Sequence, residues 1–267
     1  MAMNNTAFIL LGISIIFVCT TLGASFVFFL RKKEVSVTLN QIFTGFAAGV
    51  MLSAAFFGLI NPVLEEEISY MPNYLVAAIG VILGALFLWG IDKLLPHFHS
   101  QSNEDEGLPS RISKTNKMFL AVTIHNVPEG LSVGVAFAVA LAATGEAQHA
   151  LMISALSLAI GIGIQNIPEG MLVALPFKAE TGSNGKAFVY GFLSGIVEPI
   201  AAGLGLLLAF AISSIMPWAL AFAGGCMIYV IAEEMIPEFS NDSTHHFGVW
   251  SFILGFAAMM CLDVALG

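Results

Sequence analysis

Charge is what this sequence has least of. Only 10% of its 267 residues are Asp, Glu, Lys or Arg, while 58% are hydrophobic. A soluble domain carries about a quarter charged residues, so this chain cannot cover a water-facing surface. A soluble enzyme and a disordered regulator are excluded. Basic residues are scarcest: nine Lys and Arg face 18 Asp and Glu, a net charge of −9. That sign is wrong for phosphate backbones and excludes a nucleic-acid binder. Cysteine is nearly missing. Cys19, Cys226 and Cys261 lie in apolar runs, at spacings that match no zinc cluster, and read as buried inert thiols. No basic stretch precedes the first apolar run, which is a full span long and is followed by Arg31, Lys32 and Lys33. It reads as a retained span, not a cleavable signal.

What is present is apolar length. Eight runs, at approximately 7–30, 41–60, 73–94, 118–143, 149–176, 187–212, 217–236 and 247–266, can each cross the bilayer as a helix. Barrel strands would be about half as long and alternate in polarity. The sequence therefore predicts an all-α integral membrane protein, a single polytopic domain over 1–267 with eight transmembrane helices. Glycines within the runs let helices approach closely. Arg31, Lys32 and Lys33 follow span 1; Lys93, Arg111, Lys114 and Lys117 surround the loop after span 3; Lys178 and Lys186 follow span 5. Every basic residue thus falls on one face, which the positive-inside rule makes cytoplasmic, with both termini extracytoplasmic. The longest connection, about 95–117, reads as a flexible cytoplasmic loop carrying His97, His99 and Glu104-Asp105-Glu106.

Twelve acids, Asp92 among them, fall in loops or at span ends; six remain within spans, namely Glu129, Glu169, Glu198, Glu233, Glu234 and Asp263. No Lys or Arg occupies the interior of a span. A carboxylate at membrane depth is costly without a partner. Here the partner has to be a proton, a bound cation or cavity water. Acid without base inside a bilayer is what a cation pathway needs. Glu233 and Glu234 read equally as pathway or solvated residues, and Asp263 as a helix-end acid.

Two of the six belong to a repeat. Span 4 contains H-N-V-P-E-G, His125 to Gly130, and span 5 contains Q-N-I-P-E-G, Gln165 to Gly170. On a helix His125 and Glu129 are neighbours one turn apart, as are Gln165 and Glu169. Asn126 and Asn166 can join the same polar stripes. Pro128 and Pro168 free the carbonyls of Ile124 and Ile164. If spans 4 and 5 pack together, one imidazole, two carboxylates and three amide oxygens converge, and Glu198, in V-E-P-I of span 6, completes the set. Imidazole with carboxylate suits Zn²⁺; the oxygens broaden tolerance to Fe²⁺, Mn²⁺ or Cd²⁺. The bland alternative, interhelical glue, fits a lone Asn better than a repeated His/Gln–Glu pair.

At these strings the sequence resembles the ZIP family of divalent metal transporters, most nearly its bacterial GufA-like branch. G-V-M-L-S-A-A-F-F-G-L-I-N-P in span 2, V-E-P in span 6 and A-E-E-M-I-P-E in span 7 also carry the resemblance. It implies a binuclear site midway across the membrane, lined by kinked helices 4, 5 and 6. His125, Glu129, Gln165 and Glu169 would form one subsite. Asn126, Glu129, Asn166, Glu169 and Glu198 would form the other, the two glutamates bridging. Met51 would cap the first subsite, or is simply a core methionine. The resemblance further implies elevator-like motion of spans 1, 4, 5 and 6 against 2, 3, 7 and 8, a homodimer, and a bacterial inner membrane. Relatives often carry His at the place of Gln165, and some carry Asp at that of Asn166. Both departures weaken zinc binding, and one well-occupied ion is expected rather than two.

The function expected is a carrier bringing Zn²⁺, with Fe²⁺, Mn²⁺ or Cd²⁺ as further substrates, into the cytoplasm, with protonation as a release step. Glu65-Glu66-Glu67 would concentrate cations at the entrance. His97, His99, His245 and His246, with Glu238 and Asp242, are weak exit ligands or solvated loop residues. A channel-like pathway through the same residues is the alternative. An intramembrane metallohydrolase is disfavoured because H-E-x-x-H is missing, and a sensor because no segment could serve as an effector domain. No enzyme activity and no catalytic cofactor are expected.

Overall fold

A computed structural model describes residues 4–29, 36–95, 97–99, 104–106, 112–211, 215–240 and 246–266. Among the described residues, eight helices are long and apolar enough to cross a membrane: α1 (Asn5–Phe28), α2 (Val37–Glu65), α3 (Asn73–Leu94), α4 (Lys114–Ala142), α5 (Gly145–Thr181), α6 (Asn184–Ala209), α7 (Met216–Ser240) and α8 (Phe247–Ala265). Each takes the number of its sequence span. Among the described residues the only strands are β1 (His97–His99) and β2 (Glu104–Glu106), which pair antiparallel between α3 and α4. The side chains of this ribbon, and Arg31, Lys32, Lys33, Glu34, Arg111, Asp242 and His245, lie outside the described residues.

Helices outrun the apolar runs where a polar residue caps them. Asn4 accepts a hydrogen bond from the backbone N–H of Ala7, Ser36 from that of Leu39, Ser113 from that of Asn116 and Ser183 from that of Lys186. Gly182, at φ +67°, closes α5 in the left-handed conformation before α6 begins. Extension brings Lys114 and Lys117 into the first turn of α4 and Lys178 into the last turns of α5. Lys178 Nζ donates to the carbonyl of Val27, 2.6 Å away, and so ties the end of α5 to the end of α1. The described basic residues, Lys93, Lys114, Lys117, Lys178 and Lys186, lie at helix ends. Cys19, Cys226 and Cys261 are free thiols, but of the three only Cys226 is buried as expected; Cys19 is half-buried and Cys261 is exposed.

Prolines shape the interior. Pro128 and Pro168 sit within helices that continue through them. In α6 the helix breaks at Ile196, between Asn184–Gly195 and Val197–Ala211. Pro199 has no N–H to give the carbonyl of Gly195, so the ladder fails there. Glu198 then falls in the first turn of the second segment, where the helix dipole favours negative charge. Two stretches wind as π-helix: Ala54–Ile60 of α2 and Ile231–Met235 of α7. Pro62 follows the first and Pro237 the second. A proline ring crowds the carbonyl four residues back, and the wider turn relieves that crowding.

Helices pair out of chain order: α1 with α5, α2 with α8, α3 with α7 and α4 with α6. Each pair closes on backbone. A Cβ on Gly170 would collide with the carbonyl of Thr20, on Gly130 with that of Glu198, on Gly49 with that of Phe252, and on Gly84 with that of Phe222. The α1–α5 and α4–α6 pairs join through Gly195 of α6, which faces the side chain of Thr20. Between these four helices and the rest, glycine contacts are to flexible side chains: Gly58 to Leu158 and Gly161 to Met259. Two glycine-sealed groups therefore meet across a side-chain interface.

Candidate metal site

The repeated motif lies inside the first group. Asn126, Glu129, Gln165, Asn166 and Glu198 are each 0% exposed. Gln165 Nε2 donates to Glu129 Oε1 at 2.6 Å and to Asn166 Oδ1 at 3.1 Å. Asn126 Nδ2 donates to the carbonyl of Ser194 at 3.0 Å and to Glu198 Oε1 at 3.3 Å. Asn166 Nδ2 reaches the carbonyl of Ile16 at 3.5 Å. The Glu129 carboxylate stands within electrostatic reach of Glu169 and Glu198.

These bonds use the amide nitrogens and leave oxygens over. Asn126 Oδ1, Glu129 Oε2, Gln165 Oε1, Glu169 Oε2 and Glu198 Oε2 are buried with no hydrogen-bond partner. A buried oxygen without a partner costs roughly 1–3 kcal/mol, and more when charged. Five such oxygens on the motif helices and α6 form an acceptor set that calls for a cation or for protons. Among the described residues, no three His, Cys, Asp or Glu side chains stand close enough to hold one metal ion by themselves. The amide oxygens of Asn126 and Gln165 are available beside the carboxylates. Hard, neutral donors bind divalent ions more loosely than thiolates or imidazoles, as suits a site that releases what it binds.

The sequence-predicted residues do not all gather in one place. His125 turns away from Glu129 and pairs with α7: its Nε2 lies 2.9 Å from Glu234 Oε1. Asp92 and Glu169 also lie within electrostatic reach of His125. Glu233, beside Glu234 on the π-turn, is exposed. Met51 is 1% exposed in the apolar core, just before the first π segment. Asp263 of α8 is buried and accepts a hydrogen bond from Ser157 of α5 at 3.4 Å, so it joins the two groups rather than the site.

Asp92, sorted by sequence with the loop and span-end acids, is in fact 7% exposed within the last turn of α3, beside His125. Thr20 of α1, whose Oγ1 is 2.5 Å from Glu198 Oε1, was legible only as part of an apolar run. Hydropathy carries no signal for either, because each acquires its role from a helix distant in sequence.

The fold and site define a polytopic helical membrane protein with a buried carboxylate–amide cluster between its helices. The sequence profile of the ZIP zinc transporters matches residues 6–118 and 118–263. This chain belongs to that family. It is 40% identical to the zinc transporter GufA of Myxococcus xanthus over 71% of each chain. It is 34% identical to the zinc transporter ZIPB of Bordetella bronchiseptica, over 98% of this chain and 82% of the other. It is 32% identical to the human zinc transporter ZIP11 over 97% of each. Family members are transporters, not enzymes.

Proposed function

We propose that this protein carries Zn²⁺ through the membrane into the cytoplasm, with Fe²⁺, Mn²⁺ and Cd²⁺ as further substrates. The observation that carries the reading is the set of five buried, unpartnered oxygens on Asn126, Glu129, Gln165, Glu169 and Glu198. Similarity to zinc transporters over nearly the whole chain supports zinc as substrate. His125, paired with Glu234, lies on the route by which an ion leaving Glu169 reaches α7. The basic residues mark the cytoplasmic face, which also carries the 95–113 connection, and both termini are extracytoplasmic. The exposed Glu65, Glu66 and Glu67 on the opposite face attract cations to the entrance.

The two helix groups support a reading of alternating access. The glycine-sealed pairs α1–α5 and α4–α6, joined at Gly195 and Thr20, move as one body, and the side-chain interface at Gly58 and Gly161 is where sliding costs least. The protein works as one polytopic unit, assembled as a homodimer in a bacterial inner membrane.

The test is radioactive zinc uptake into proteoliposomes by wild type and Glu169→Ala. Saturable uptake lost in the variant is expected. No uptake of zinc, iron, manganese or cadmium by folded wild type would overturn the reading. Two smaller predictions accompany it. Zinc bound to purified protein, measured by elemental analysis, comes close to one ion per chain, because Asn166 adds no charge and its Oδ1 already accepts from Gln165. Gln165→His supplies an imidazole and raises zinc affinity roughly tenfold while manganese uptake falls, read by competition in the same vesicles.

A further inference from the structure

We infer that Thr20 is a positioning residue for the metal site: its hydroxyl holds the Glu198 carboxylate in its binding orientation from α1. This rests on the transport reading above.

Thr20 is 1% exposed, on a helix with no acidic or basic residue. Its Oγ1 lies 2.5 Å from Glu198 Oε1 and 3.1 Å from the carbonyl of Ile16 one turn back. Back-bonding to the preceding turn is the ordinary fate of a helical threonine hydroxyl. Here the shorter contact is to the Glu198 carboxyl group. Asn126 Nδ2 donates to the same Oε1, from 3.3 Å. Two donors on different helices therefore fix one oxygen of Glu198 and leave Oε2 as the free acceptor.

The rest of Thr20 is held as closely. Its carbonyl abuts Gly170, one residue after Glu169, and its Cβ and Cγ2 abut Gly195, three residues before Glu198. A Cβ on Gly195 would stand 3.0 Å from both atoms. The hydroxyl thus has little freedom to swing away. One turn earlier, the carbonyl of Ile16 receives Asn166 Nδ2 at 3.5 Å. Helix α1 supplies no ligand of its own, yet it orients one group from α5 and one from α6.

The experiment compares wild type, Thr20→Val and Thr20→Ser in zinc uptake and in zinc binding to purified protein. Valine keeps the shape and removes the donor; serine keeps the donor. Thr20→Val should raise the KM for zinc and weaken binding about tenfold, with maximal rate within about twofold of wild type; loss of a group that orients a metal ligand typically costs 10–100-fold in affinity. Thr20→Ser should stay within about twofold of wild type. In a Glu198→Ala background Thr20→Val should add nothing, since its acceptor is gone. Should valine fail to fold, Thr20→Ala replaces it in each arm. Wild-type zinc binding with an unchanged valine variant would remove the role of Thr20 and leave transport standing. So would a fall in maximal rate and thermal stability at unchanged KM, which is what mere packing would give. Wild type that neither binds nor transports zinc would remove the transport reading itself.

Discussion

Glu129→Gln lowers zinc uptake by about 100-fold or more while leaving the protein folded. The glutamate is fully buried, and Oε1 accepts from Gln165 Nε2 at 2.6 Å. Glutamine has nearly the same volume and offers an oxygen at that position. What it removes is the charge and the free acceptor Oε2. Since loss of a group that merely orients a ligand costs 10–100-fold in metal affinity, loss of the central anionic ligand costs at least the upper end of that range. Stability moves the other way, because a buried ionised carboxylate is expensive and an amide less so. Thermal unfolding in detergent should therefore occur at the wild-type temperature or above it. Uptake by Glu129→Gln at the wild-type rate would show that the cation passes elsewhere.

The second large effect separates the two kinds of glycine contact. Gly170→Ala places a methyl group against the carbonyl of Thr20, and backbone cannot rotate aside. Helices α1 and α5 have to part at the level of the site. Overpacking of this kind costs about 3 kcal/mol, which lowers the unfolding temperature by roughly 6–12 °C in a chain of this size. Zinc uptake falls with it, because Thr20 and Glu169 both shift. Gly58→Ala also adds a methyl group, but it meets the end of the Leu158 side chain at 3.2 Å. Leucine can change rotamer, so unfolding temperature should stay within about 2 °C of wild type. Equal losses in the two variants would contradict the division into two sealed groups.

The eight helices were legible because bilayer thickness sets a length that hydropathy can count. The site was half legible. H-N-V-P-E-G and Q-N-I-P-E-G placed Glu129 and Gln165 on facing turns, and they bond as that placement suggests. The V-E-P string suggested a kink in span 6, and the structure breaks the helix there, at Ile196. Periodicity could not show that His125 would choose Glu234 over Glu129. Both partners lie on plausible faces, and the choice depends on how α7 packs against α4. Nor could it show that Asp92 would be buried, since a single acid near a span end looks solvated until the neighbouring helices are in place.

The order of helix pairing bears on how the chain is made. During synthesis α1 enters the bilayer with its glycine face unmatched, and its partner α5 begins only at Gly145. The wait is longer for α2, whose partner α8 begins at Phe247. Nascent α4 carries Glu129 into lipid before Gln165 emerges to meet it. The first group can close only once α6 has emerged, and α2 stays without its partner until the last helix leaves the ribosome. Chains stopped before α8 should therefore be the ones that membrane proteases remove, even though they contain every candidate ligand.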